Sequence, residues 1–367
     1  MKQTMGAIAL RLIFVLLIPV LLQSYFASCF VLSHNKVSKP PAQTSFIGFC
    51  KNRQIELPRF ASYNCRSHQN LKMASEEGDA PASNYATLRV HGPDSKGIVA
   101  AFSQLLYGHG CGIFDSEQST DRSANLFFQR IHFDYGTMIT DRVTLESGVK
   151  EVCERFQMAY ALNWADTKKN VCIMVSKYDH CLWELLLRHR AGELDCNIVL
   201  VISNHPDLKS VADSFNIPFE VFKITKDSKA EQEEEELKLM KEEYKVDLVI
   251  LARYMQIISN NFCQAFHHKV INIHHSFLPA FIGGKPYHRA FERGVKLIGA
   301  TAHYATADLD EGPIIEQDIT RISHRDDVDE LLRKGRTLEK NVLVHAVKAH
   351  VEDRIIVYNN KCVVFGS

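Results

Sequence analysis

Between residues 171 and 252, short uninterrupted apolar runs alternate with segments of helical period, and this alternation leaves few folds open. The runs are 171–176, 197–203, 219–224 and 247–252; helices are expected from His180 to about Arg190, up to Phe215, and over about 228–244. A strand that is apolar on both faces must be covered on both. The pattern therefore specifies an α/β domain built on an open, mostly parallel sheet with helices on either side. Sheets of this kind take ligands beyond the carboxyl ends of their strands. A further apolar run, 270–276, ends in polar side chains of that sort, Asn272 and His274. In a strand, residues i and i+2 share a face, so these two can act on one ligand together. The chain returns over 299–304 and turns at 307–313, where Asp310 brings a carboxylate. A long helix over about 326–352 closes the domain, which is expected to span 170–367.

A smaller unit precedes it. Residues 85–90 alternate like a strand, 91–97 read as a turn and 98–107 as a helix. Two strands (112–118 and 126–134), a helix near 144–157 and a last strand ending near Trp164 complete a βαββαβ order over 84–166. That order is a ferredoxin-like α+β unit.

Residues 1–74 differ from the rest. Glu56 is their only acidic residue, residues 12–22 form an apolar stretch of signal-peptide length, and 24–30 supply small residues. That stretch is too short to span a bilayer comfortably. Residues 31–74 are basic, contain serine and are nearly free of acids, as organelle transit segments are. The segment is read as a targeting presequence outside the fold, with 75–83 as a polar linker. A signal with a transit-like stretch behind it resembles the two-part presequences of algae with secondary plastids. The expected location is thus an organelle, a plastid or alternatively a mitochondrion, and no membrane segment is expected in the mature protein.

Forty-three basic residues balance 43 acidic ones, which gives no support for nucleic acid as a partner. The ten cysteines form no Cys-x-x-Cys pair, arguing against a zinc ribbon or a redox dithiol; they read as reduced thiols, mostly in cores. His267, His268 and His303 have no Glu or Cys at ligand spacing, so no metal site is expected. The acidic run 231–236 has Lys238, Lys241 and Lys245 beside it and reads as a solvated helix face.

Three motifs in order carry a family resemblance: Asn272-Ile273-His274-His275-Ser276-Phe277-Leu278-Pro279, Gly299-Ala300-Thr301-Ala302-His303 and Asp308-Leu309-Asp310-Glu311-Gly312-Pro313. They resemble the core of the folate-dependent formyltransferases, whose sheet is Rossmann-like, and the likeness covers essentially all of 170–355. It implies that Asn272, His274 and Asp310 are catalytic. It also implies that Met255, Gln256 and Ile258, with Thr306, Ala307, Asp308 and Leu309, line a folate pocket. The turn Val90-His91-Gly92-Pro93-Asp94-Ser95-Lys96-Gly97 is similar to that of ACT domains. Pro93, Asp94 and Gly97 would then form an amino-acid effector turn, or the unit could serve only to pair subunits into a homo-oligomer.

Members of that family differ in the formyl acceptor. Those acting on glycinamide ribonucleotide carry a Gly-Ser-Asn-rich phosphate loop after the first strand. This chain has Ser176-Lys177-Tyr178-Asp179-His180-Cys181 there, without glycine and with a carboxylate. An ACT-like unit in front, and the stretch 283–296, resemble the deformylase branch, in which the acceptor is water. The resemblance thus implies hydrolysis of 10-formyltetrahydrofolate to formate and tetrahydrofolate, with no cofactor or metal. The alternatives are formyl transfer to an amine, or a folate or amino-acid sensor without turnover. Taken singly, each of the three residues also has an ordinary reading: a strand asparagine satisfying backbone groups, a hydrogen-bonded core histidine, a turn aspartate.

Overall fold

The computed structural model describes residues 84–225, 228–280 and 286–366. The expected leader, the linker and residues 283–285 of the 283–296 stretch lie outside the described residues.

The first described unit runs β1 (Tyr85–Pro93), α1 (Ile98–Gly108), β2 (Gly112–Asp121), β3 (Leu126–Asp134), α2 (Arg142–Phe156) and β4 (Ala159–Trp164). The four strands pair in the order β2-β3-β1-β4, with β1 antiparallel to both neighbours. This is the ferredoxin-like topology that the sequence pattern predicts. Alternation in β1 sends Ala86, Leu88 and Val90 into a core shared with Phe102, Leu106, Leu145 and Val149. Asp141 caps α2, accepting a hydrogen bond from the Thr144 N–H at 2.7 Å. From the other face of β1, Arg89 donates to the Ile355 carbonyl at 2.8 Å and pairs with Asp353 at 3.1 Å.

The larger unit contains β5 (Asn170–Val175), α3 (His180–Arg190), β6 (Asn197–Ser203), α4 (Lys209–Asp213) and β7 (Phe219–Val221). It continues with α5 (Lys229–Lys238), β8 (Leu248–Leu251), α6 (Asn260–Ala265), β9 (Val270–His274) and α7 (Pro286–Arg293), then β10 (Leu297–Tyr304), β11 (Ile314–Arg321) and α8 (Val328–Val351). The seven strands lie in the order β11-β10-β9-β8-β5-β6-β7. Pairing is parallel from β7 to β9 and antiparallel at β9–β10 and β10–β11. The order in which strands are added reverses between β5 and β8, and a crevice forms at such a switch point. Val171, Ile173 and Val175 of β5 face one covering layer, and Cys172 and Met174 the other. That is why the run is apolar without alternation. The described cysteines are all free thiols, and six of the seven are buried. Among the described residues no helix is long and apolar enough to cross a membrane.

Three expectations need correction. The helix expected up to Phe215 is a 3₁₀ turn (Pro206–Leu208) leading into the short α4, which is ended by Asn216 in the left-handed region at φ 56°. The chain does not stop with its long helix: a hairpin of β12 (Ile355–Tyr358) and β13 (Lys361–Val364) comes after it, and Ile356 and Phe365 cover Phe128 of the small sheet. The acidic run is not wholly solvated. Glu233 and Glu236, three residues apart, fall on the inner stripe of α5 with Met240 and are buried.

Candidate active site

The site is built where β9 runs out of the sheet. Pairing with β10 sets Asn272 opposite His303 and His274 opposite Thr301. His303 is buried, and its Nδ1–H donates to the Tyr304 carbonyl at 3.0 Å, so its Nε2 carries the lone pair. Asn272 Nδ2 donates to that nitrogen at 3.2 Å. Burial pushes the His303 pKa below its usual value, which keeps the ring neutral and able to accept. One amide proton of Asn272 is thereby spent on orientation, and the other is left for a ligand.

Asp310 arrives from the loop between β10 and β11. Two backbone bonds hold that loop: Tyr304 N–H to the Pro313 carbonyl at 3.0 Å, and Ala305 N–H to the Val270 carbonyl at 2.8 Å. At Gly312 the chain lies so close to the Tyr304 carbonyl that a Cβ would collide with it. Asp310 itself has φ 60°, in the left-handed region that aspartate tolerates better than most residues. Its Oδ1 lies 3.1 Å from His274 Nδ1 and 3.9 Å from His303 Nε2, and its side chain and that of His274 are each 6% exposed. Burial alone would raise the Asp310 pKa; the hydrogen bond from His274 leads the effects that oppose it, and the group is held below its ordinary value. With Nδ1 engaged, His274 Nε2 is buried and has no hydrogen-bond partner among the described residues. An unpaired buried nitrogen beside a positioned amide can receive or deliver a proton at a bound substrate.

Comparison with known proteins shows what the chain is similar to. Residues 169–347 match the formyl transferase family. A formyltetrahydrofolate deformylase of Synechocystis sp. is 52% identical over 281 residues, covering 77% of this chain and 98% of the relative. The chain belongs to the formyltetrahydrofolate deformylase family. A crystal structure of a family member from Pseudomonas syringae superposes with a TM-score of 0.75 at 43% identity, over 77% of this chain and 94% of that one. Glycinamide ribonucleotide transformylase 1 from Symbiobacterium toebii shares the larger unit alone, with a TM-score of 0.51 at 26% identity over 54% of this chain and 95% of that one.

The other residues expected in a deformylase folate pocket lie on two loops. After β8, Met255 and Ile257 are exposed, Gln256 and Ile258 partly so, and Ser176 Oγ accepts the Met255 N–H at 2.9 Å. On the Asp310 loop, Ala307, Asp308 and Leu309 are exposed, and Thr306 Oγ1 donates to the Asp308 carbonyl at 3.0 Å. The structure therefore brings Asn272, His274 and Asp310 together, and leaves apolar Met255, Ile257 and Leu309 uncovered. Pro93, Asp94 and Gly97 form an exposed turn at the start of α1, where Gly97 has φ 95° and Asp94 N–H donates to the Asn125 carbonyl at 3.0 Å.

Three groups escape sequence reasoning. In the sequence His303 reads only as a metal ligand to be excluded; the strand register makes it the partner of Asn272. Glu233 and Glu236 sit beneath the loop after β8: Glu233 accepts the Ser259 N–H at 3.1 Å, and Glu236 accepts the Tyr254 hydroxyl at 3.4 Å. Burial, helped by the Glu233 carboxylate, pushes the Glu236 pKa up to about 7. Lastly, Glu339 of α8 accepts from His180 Nε2 at 2.7 Å and from the Tyr287 hydroxyl at 2.8 Å, and Arg253 Nε lies 3.4 Å away as an ion pair. Burial works against the Glu339 charge, but the His180 bond and the Arg253 cation keep its pKa below the ordinary value. His180, Cys181 and Glu339 have donor atoms within 4.8 Å of one another, as metal ligands would. Arg253 already supplies the positive charge there. His275, its ring tilted against those of His274 and Tyr287, is held neutral by burial, with a pKa of about 3.

Proposed function

We propose that this chain hydrolyses 10-formyltetrahydrofolate to formate and tetrahydrofolate. The observation that carries this reading is the His274–Asp310 contact at 3.1 Å with His274 Nε2 left free beside Asn272. Asp310 accepts the Nδ1–H of His274 and fixes the tautomer whose Nε2 has a lone pair. Water attacks the formyl carbon while Nε2 takes its proton, and the uncommitted Asn272 N–H donates to the oxygen that becomes negative. Collapse breaks the bond from carbon to N10. The imidazolium then returns the proton to N10, the new formic acid loses its remaining proton to solvent, and formate and tetrahydrofolate leave with His274 neutral again. The scheme needs no cofactor or metal.

Several finer assignments go with it. The pterin would lie between Met255, Gln256 and Ile258 on one side and Thr306–Asp310 on the other, using the exposed apolar side chains noted above. The released formate would feed purine synthesis, including that of IMP, and the reaction would balance one-carbon folate pools. A homo-oligomer is favoured by β2, an edge strand exposed along most of its length and carrying exposed Ile113 and Phe114, since such edges are normally covered. An amino acid bound at Pro93, Asp94 and Gly97 of the ACT-like unit would tune turnover. The composition of residues 1–74 favours delivery to a plastid, or alternatively a mitochondrion.

The test is to give protein begun at Met73 10-formyltetrahydrofolate without any amine. Formate and tetrahydrofolate released in equal amounts, and lost in Asp310→Asn, are expected. Formyl transfer that requires an added amine would overturn the hydrolytic reading.

A further inference from the structure

The second feature of the site is what fills the crevice at the switch point. A formyl acceptor larger than water must approach beside the reacting carbon, and in an open parallel sheet the space for it lies beyond the carboxyl ends of β5 and β8. Tyr178 and His180 follow β5 and Arg253 follows β8, and Glu339 of α8 joins them, bonded to His180 and to Tyr287 of α7 and paired with Arg253. The Arg253 guanidinium lies over the Tyr178 ring at 5.1 Å and against Glu339, and its side chain is only 10% exposed. The cluster continues to the reaction centre through rings in sequence: Tyr287 to His275 at 6.0 Å, and His275 to His274 at 5.2 Å.

We propose that Arg253, held by Glu339 and roofed by Tyr178, is a built-in plug that occupies the second-substrate crevice and restricts the formyl acceptor to water. The proposal rests on the hydrolytic reading above and names what sets its specificity.

Two further observations bear on it. Arg253 has φ 64°, in the left-handed region where glycine is the unstrained choice. A long cationic side chain held in such a backbone conformation, and buried, is strain of the kind that clusters at functional sites. Secondly, the start of α3 is closed to a phosphate. Asp179 occupies its N-cap without capping it, and the loop before it has no glycine to bring backbone N–H groups together. The large sheet is shared with a transformylase, so the fold does not by itself decide the acceptor. The side chains in the crevice do.

Removing Arg253 would open the space and expose the Glu339 carboxylate, which suits the N–H or hydroxyl donors of an acceptor bearing a neutral amine. The amine nitrogen would then attack the formyl carbon, the bond to N10 would break, and the proton lost by the amine would pass to N10. The products would be an N-formyl amide and tetrahydrofolate.

The experiment measures N-formyl product against formate with 10-formyltetrahydrofolate and added glycinamide, an amine without a phosphate, for the parent chain and for Arg253→Gly with Tyr178→Gly. Glycine suits φ 64°, so the backbone is relieved rather than strained. The ratio of formylated amine to formate is expected to rise by at least about tenfold in the double variant. An unchanged ratio, in a variant that melts cooperatively and still releases formate, overturns the plug. Should that variant not fold, Arg253→Gly alone takes its place under the same two outcomes. Formate release by the parent without any acceptor tests the hydrolytic reading separately, so failure of one is distinguishable from failure of the other.

Discussion

Two buried carboxylates flank the candidate folate pocket, and their surroundings drive them in opposite directions. Asp310 lies among His274, His303 and His275, and the hydrogen bond from His274 holds its pKa below the ordinary value against burial. Glu236 lies under the loop after β8 with a second carboxylate, Glu233, and a tyrosine hydroxyl for company, and its pKa rises to about 7. Burial is common to both and raises both. The neighbours decide the outcome, so an acid's role cannot be assigned from burial alone. Asp310 is equipped to hold an imidazole tautomer, whereas Glu236 is equipped to hold a loop while staying largely protonated below neutrality.

The comparison breaks most visibly at Asp310. Asp310→Asn keeps the volume but removes the charge that aligns His274, and kcat should fall by about 10³-fold, measured as formate release. A loss smaller than tenfold would return Asp310 to the standing of a turn residue. Asp310 is depressed in the folded state, so its stabilising contribution is present above the unfolded carboxyl value and is lost as pH falls through its lower folded value. Urea unfolding of Asp310→Asn should lack that acid limb.

Glu236 supplies the opposite slope. Its raised pKa means that the folded state keeps a proton which the unfolded chain has already released. The favourable contribution is full below 4.5 and disappears as pH rises to about 7, a change of about 3 kcal/mol. Glu236→Gln should flatten the stability curve across that window; an unaltered slope between its two ends would show that Glu236 titrates normally. Asn272→Ala removes a donor to the developing oxyanion and is expected to cost about 10²-fold in kcat with KM little changed. A rise in KM alone would make Asn272 a binding group. The smallest effect belongs to His303→Ala, which leaves Asn272 in place but frees its amide to rotate. About tenfold in kcat is expected, with partial recovery in His303→Gln, whose side-chain oxygen can accept the same hydrogen bond. No recovery would place the defect in packing.

The amino-acid order by itself determined the sheet class and one half of the site. Uninterrupted apolar strands can be covered only by helices on both faces, and a period of two puts Asn272 and His274 on one side wherever β9 goes. The ferredoxin-like order of the small unit was legible for the same reason, from alternation and turn residues. Asp310 could be tied to those two residues only through the motif resemblance, because nothing local says that a loop after β10 folds back onto β9. Tertiary structure alone decided the rest. His303 became the partner of Asn272 through antiparallel register, which periodicity does not encode. Glu233 and Glu236 turned inward because α5 meets the loop after β8 along that stripe, although lysines nearby made the run look solvated. Arg253 and Glu339 met across the switch point because β8 and α8 converge there. Local sequence fixes which face a residue shares with its neighbours; which other face it meets depends on long-range packing of the whole sheet, and the opposite pKa shifts of Asp310 and Glu236 come from that meeting.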